Sequence, residues 1–245
     1  MKALLKRVLP PALYRPVLTR MRRTYQGSWD SSRRLTPFSR VAGADRGLPL
    51  DRYYIENFLK EHRTDIRGRV AEVKNADYIQ KYGDGRVTVA DVLDIDSTNP
   101  MATIVCDLTA PAGVPVDAYD CLLMTQVFSC LFDVEAAISN CYRALRPGGV
   151  LLATVSGIVQ ISRFDMQTSG EYWRFTTLSA QRLVANAFPS HSVSVRAYGN
   201  VFVASAMLYG LATEELTTEE LDFQDPDYEM LITVRAVKEE SPHGS

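Results

Sequence analysis

Short apolar runs alternate along the chain with stretches whose apolar positions recur every three or four residues. The first regular stretch is DRYYIENFLKEH, residues 51–62, where Tyr54, Ile55, Phe58 and Leu59 share one face, the spacing of an amphipathic helix. Asp51 stands at its start, in position for an N-cap. Strand-like runs follow at 70–73, 87–92, 103–107, 120–124, 150–155, 192–197 and 231–237. Between the fourth and fifth runs, residues 134–145 align Ala137, Ile138, Cys141, Tyr142 and Leu145 at helical spacing. Arg146-Pro147-Gly148-Gly149 reads as a helix stop followed by a turn. A further helix is predicted over 177–188, with Leu178, Leu183, Val184 and Ala187 on one side. The run VFVASAMLYGLA, within the long connection 198–229, predicts a helix that covers the sheet or meets a second subunit in a homodimer.

Nearly continuous apolar strands alternating with helices indicate a doubly wound, mostly parallel α/β sheet covered on both faces. In such sheets ligands bind beyond the carboxyl ends of the strands, where strand order reverses. Strand-end residues are therefore the first candidates for chemistry.

The chain has 245 residues, 46% hydrophobic and 23% charged, with a net charge of -2. One α/β domain of this length is ordinary, and the overall charge gives no reason to expect specific nucleic-acid binding. The charge is uneven, however. Residues 1–40 carry ten Lys or Arg against the single acid Asp30, and Glu214 to Glu229 carry eight acids and no base. Residues 1–48 therefore read as a basic arm with short helical pieces, residues 49–240 as the α/β domain and 241–245 as a disordered tail. Leu4, Leu5, Val8 and Leu9 among Lys2, Lys6 and Arg7 suit either an arm packed on protein or a weak contact with an anionic membrane surface. The apolar run is too short for a signal peptide or a membrane span. The acidic stretch reads as solvated loop or as a partner for the arm. Cys106, Cys121, Cys130 and Cys141 form no CxxC pair and fit small buried thiols in a reduced cytoplasm. His62, His191 and His243 are scattered, and no metal-ligand spacing is present.

Four anchors between Gly68 and Val155 give this stretch a resemblance to the class I S-adenosylmethionine-dependent methyltransferases. The strand Arg69-Val70-Ala71-Glu72-Val73 is similar to the family's opening strand. Val87-Thr88-Val89-Ala90-Asp91 is similar to its second, and Thr103-Ile104-Val105-Cys106-Asp107-Leu108 to its third. The run from Pro115 through CLLMTQVF into Ala144-Leu145-Arg146-Pro147-Gly148-Gly149 resembles the family's fourth strand and its crossover. The resemblance implies a Rossmann-like, seven-stranded sheet closing in a hairpin whose last strand is antiparallel. It implies S-adenosylmethionine as cofactor. Asp91 would accept the two ribose hydroxyls, and Asp107 with the Leu108 amide would meet adenine. Glu72, Lys74, Asn75 and Thr125 would border the rest of the cofactor. One carboxylate can accept two hydroxyl donors together, as a ribose diol requires; an isolated strand-end Asp equally serves to close a turn.

The family's first loop is rich in glycine, which lets the backbone turn sharply. Here it reads Lys74-Asn75-Ala76-Asp77-Tyr78, without glycine. Lys74 is expected either to fill the methionine pocket or to pair with the cofactor carboxylate, Glu72 or Asp91, and Asn75 to carry any left-handed turn. Methyl transfer needs an aligned nucleophile and a group to take its proton. Gln126, at the end of the fourth strand, is placed to orient a substrate. The loop after the fifth strand supplies Asp165 and Tyr172, with Glu171, as acid–base or orienting groups, and Arg163, Trp173 and Arg174 as substrate contacts. The Trp173-Arg174-Phe175 run resembles a bacterial glycan and natural-product subgroup. The expected activity is O-methyl transfer to a hydroxyl of a sugar or natural product. The alternative is a member of the same fold that does not methylate, as another enzyme or as a non-catalytic partner protein.

Overall fold

The computed structural model describes residues 34–111 and 113–239. Most of the basic arm, residues 1–33, with its expected membrane-surface contact, and the expected tail 241–245 lie outside the described residues.

Helix α1 (Leu50–Glu61) buries Leu50, Tyr54, Ile55, Phe58 and Leu59 along one face, as its periodicity predicts. Its cap differs from expectation. Pro49 occupies the N-cap without a side-chain bond, and Asp51 lies one residue inside the helix. The next elements are β1 (Gly68–Val73), α2 (Asp77–Tyr82), β2 (Val87–Asp94), β3 (Ile104–Val105) and β4 (Tyr119–Thr125). Helix α3 (Val134–Ala144) is capped by Asp133, whose side chain accepts from the Ala136 amide, and β5 (Leu145–Ser156) follows it directly. The expected turn at Arg146–Gly149 is present as a bulge within β5: the register with β4 jumps from Leu145 opposite Tyr119 to Val150 opposite Cys121, and Gly148 turns at φ 77°. Then come α4 (Arg163–Thr168), α5 (Thr177–Ala185), β6 (Val193–Tyr198), α6 (Val201–Tyr209), α7 (Thr218–Asp222) and β7 (Leu231–Val237).

The seven strands form one sheet in the order β3-β2-β1-β4-β5-β7-β6. Pairs from β3 to β5 are parallel, and β7 runs antiparallel to both neighbours. Alternation along each strand serves two cores. Leu122 and Met124 point into the one under α3 and α5, and Cys121 and Leu123 into the one under α1, α2 and α6. Strand order reverses between β1 and β4, so the carboxyl ends of those two strands open the crevice of the sheet. Among the described residues, no helix is long and apolar enough to cross a membrane.

The described end of the arm packs on the long connection before β7. Arg46 forms a bidentate pair with Glu215, its Nε 2.9 Å from Oε2, and the Leu48 amide donates to Glu214. Gly210 ends α6 in the left-handed region, at φ 72°. A Cβ there would lie 2.4 Å from the Ser39 carbonyl oxygen, so glycine permits both the turn and the close approach of the arm.

Candidate active site

A cavity of about 730 Å³ opens at the carboxyl ends of β1, β2 and β4, within the usual range for small-molecule sites. Its wall is built strand by strand. Glu72, Val73, Lys74 and Asn75 come from the end of β1, and Asp94 and Ile95 from the end of β2. Cys106, Asp107 and Leu108 come from beyond β3, Thr125 and Gln126 from the end of β4, and Asp165 from α4.

The backbone at the crevice is strained at two points. Lys74 has φ 72° and Gln126 φ 60°, the left-handed region that costs a residue with a Cβ about 1–2 kcal/mol. Both sit at the strand-order reversal, where such strain commonly accompanies function. Lys74 therefore makes the turn for which glycine is the easy choice. Asn75, expected to carry it, does not; its side chain accepts from the Asp77 amide instead. The Lys74 ammonium is half exposed and lies 4.0 Å from Asp165, not against Glu72 or Asp91. Its amide donates to Leu93, and its carbonyl accepts from Asn99 Nδ2 at 2.8 Å.

Glu72 is buried and accepts from the amides of Tyr78 and Ile79, at 3.1 and 3.0 Å. It thereby satisfies free donors at the start of α2. Burial pushes its carboxyl up to about 7, against the opposing pull of those two amides. Its place is beneath the loop, holding α2 to β1.

The expected ribose acid moves by one turn of the pleat and more. Asp91 does not end β2; the strand continues to Asp94 because Val92, Leu93 and Asp94 still pair with β1 or β3. Asp91 is buried in mid-strand, accepting from Arg69 Nε at 2.7 Å and Thr103 Oγ1 at 2.9 Å, and it does not line the cavity. The strand-end acid is Asp94, held by Asn99 Nδ2 at 2.7 Å and the Asp96 amide at 3.0 Å. The same Asn99 nitrogen reaches the Lys74 carbonyl, so one side chain joins the β1 and β2 ends. Asp107 and Leu108 are where the sequence places them. Asp107 Oδ1 closes a turn with the Thr109 amide and hydroxyl, and buried Asn140 on α3 donates to the carbonyls of Leu108 and Ala110.

A second cavity, about 510 Å³, adjoins the first and shares Arg52, Gln126, Cys130 and Asp165 with it. Gln126 Oε1 accepts from Ser156 at 2.6 Å. Arg163 and Glu171 line this second space. Tyr172, Trp173 and Arg174 line neither cavity. Tyr172 is half exposed against Phe132. The Trp173 indole donates to the carbonyls of Leu131 and Phe132. Arg174 is tied to Glu171 and to the Gln160 carbonyl, so it braces the loop. His62 packs on Phe58 and lines neither cavity. Asp51 and Arg52 were not selected from the sequence, because acids and bases in a first helical turn ordinarily serve the helix.

Residues 70–153 match the family model described as "Methyltransferase domain". No curated protein sequence matches the chain. Among solved structures, a SAM-dependent methyltransferase from Archaeoglobus fulgidus is similar over 76% of this chain and 94% of its own, at 10% identity and a TM-score of 0.51. An S-adenosylmethionine-dependent methyltransferase from Mesorhizobium loti covers 77% of this chain and 98% of its own, at 14% identity and a TM-score of 0.49. At such identities the likeness is one of fold. The expected enzyme class agrees with the matched domain, and the expected cofactor, S-adenosylmethionine, is the one named for the similar Archaeoglobus fulgidus protein. Residues 70–153 thus match a methyltransferase domain, and the chain has a fold like that of a SAM-dependent methyltransferase.

Proposed function

We propose that the protein transfers a methyl group from S-adenosylmethionine to a hydroxyl of a small molecule, a sugar or natural product, in the cytoplasm. The observation that carries this reading is the cavity at the β1–β4 reversal, whose wall contains the ends of the strands in the order such a cofactor requires. The residues fit the group. Asp94 presents a carboxylate to a ribose diol, and Asp107 with the Leu108 amide presents an acceptor beside a donor, the complement of an adenine edge. The left-handed Lys74 leaves the backbone turned as a close approach needs. S-adenosylmethionine supplies an electrophilic methyl group on a sulfonium. The protein's own work is to align an acceptor with it, exclude water and receive a proton. Gln126, in the wall of both cavities, is placed to orient the acceptor.

Calorimetric titration with S-adenosylhomocysteine tests the reading. Micromolar binding is expected, weakened at least ~10-fold by Asp94→Ala. Asp91→Ala should act on stability and leave the affinity nearly unchanged. A silent titration overturns the reading.

One observation favours a second reading, in which the cleft serves a reaction other than methyl transfer or the protein is a non-catalytic partner. Lys74 places an ammonium in a cavity that would receive a sulfonium, and like charges repel. On that reading neither S-adenosylmethionine nor S-adenosylhomocysteine gives heat, and a second protein co-purifies.

A further inference from the structure

The second cavity contains a group of polar atoms that the fold leaves unmatched. Asp51 Oδ1, Gln126 Nε2 and Ser129 Oγ are each sealed from solvent without a hydrogen-bond partner. All three residues line this one cavity. Buried polar atoms are nearly always paired, so each exception asks for an explanation. Here the three explain one another. They are a carboxylate acceptor, an amide donor and a hydroxyl able to do either, which is the complement of a bound hydroxyl group.

The chain goes out of its way to put Asp51 there. Pro49 takes the N-cap position, and Asp51 stands in the first turn of α1. Its neighbour Arg52, which also lines this cavity, donates to the Tyr78 phenol oxygen at 2.9 Å. At the open side stand Arg40 and Arg163, both exposed, both lining the cavity, and neither with a carboxylate partner among the described residues. Of the loop acids lining the cavity, Glu171 is taken by Arg174 and the Ser162 amide, and Asp165 faces the Lys74 ammonium at 4.0 Å.

We propose that this second cavity is the acceptor site, that Asp51 is the base of the reaction, and that Arg40 and Arg163 select acceptors carrying an anionic group, a carboxylate or a phosphate monoester. The proposal rests on the methyl-transfer reading above. In the step, the acceptor hydroxyl donates its proton to Asp51 while its oxygen forms a bond to the methyl carbon. The carbon–sulfur bond breaks, and its electron pair remains on sulfur. Gln126 Nε2 and Ser129 Oγ hold the acceptor oxygen in line. Burial raises the Asp51 carboxyl above the ordinary range, the direction that suits a base working near neutral pH.

The test uses the full chain saturated with S-adenosylhomocysteine. Saturation-transfer NMR is run with 4-hydroxybenzoate and 4-hydroxyphenyl phosphate as anionic probes and 4-hydroxybenzamide and phenol as neutral ones. The anionic probes are expected to bind at least ~10-fold more tightly than the neutral ones, and Arg40→Ala with Arg163→Ala to abolish that preference. The stronger of the two anionic probes distinguishes carboxylate from phosphate. With the bound probe, Asp51→Asn is expected to lower kcat about 100-fold and to leave S-adenosylhomocysteine affinity within two- to threefold; Asp51→Glu should restore part of the rate. Equal binding of charged and neutral probes overturns the selectivity, and full turnover by Asp51→Asn overturns the base. Failure of S-adenosylhomocysteine itself to bind overturns the methyl-transfer reading, and this proposal falls with it.

Discussion

Three residues carry the local physics of the crevice. Lys74 adopts φ 72°, and its only ion pair among the described residues is the partly exposed one with Asp165 at 4.0 Å, which contributes little. Replacing it with glycine removes the left-handed strain and should stabilise the fold by about 0.5–1 kcal/mol. Thermal unfolding should show this as a rise of roughly 1–4 °C; a fall would mean that the lysine side chain holds the loop. Glu72 gives a pH signature. Its carboxyl is raised by burial to about 7 in the folded protein and returns to an ordinary value near 4.3 when unfolded. The folded state therefore binds more protons across that interval, so the contribution of Glu72 to stability is present in full below about pH 4.3 and falls as pH rises toward 7. Urea unfolding of Glu72→Gln should show a flatter dependence over that window than the parent protein. Asp91 shows how a residue can satisfy a pattern and still lie elsewhere. A strand-end aspartate was legible from the run VTVAD. That the strand continues through Val92 and Leu93 to Asp94 was not, because its end is set by pairing with β1 and β3.

At the scale of elements, periodicity anticipates α1, α3, α5 and all seven strands to within a few residues, apart from a β3 reduced to two residues and a β5 that begins earlier. Caps and turns were less legible, since they depend on what a side chain finds nearby. Asn200 is an instructive case. It was not singled out, yet its Oδ1 accepts from the Val203 amide, and its Nδ2 donates to the carbonyls of Glu220 and Phe223 at 2.8 Å each. It caps α6 and fastens α7 to that cap from a buried position. Asn200→Ala should cost about 2 kcal/mol, one cap plus the carbonyls it deserts. The chemical denaturation midpoint should fall accordingly, with an unchanged slope. An unaffected midpoint would show that water replaces the amide at no cost. Lys74 and Gln126 belong to this scale too. Their strain arises because two strand ends must turn away from each other at the same point of the sheet.

For the molecule as a whole, a ligand that binds only the folded state stabilises it by mass action. S-adenosylhomocysteine at about 100 times its dissociation constant should add roughly 2.7 kcal/mol. The melting temperature should rise by about 5–10 °C, and at the same concentration the gain should shrink sharply in Asp94→Ala. No shift at saturating ligand would place the cofactor outside this fold. The two cavities are also built from different parts of the molecule. One is formed by the parallel strand ends, and the other by α1, the described end of the arm and the loop after β5.

The sequence alone determined the sheet and its cover, because a buried parallel strand must be continuously apolar and a covering helix must repeat every three to four residues. It also determined Asp107, Leu108, Thr125 and Gln126 as crevice residues, since these follow strands whose ends turn signals mark. Only the tertiary structure decided which acid ends β2, that Tyr172, Trp173 and Arg174 are not among the cavity-lining residues, and that Asp51 is. These outcomes depend on strand register and on packing between segments far apart in the chain, and a linear pattern holds neither quantity.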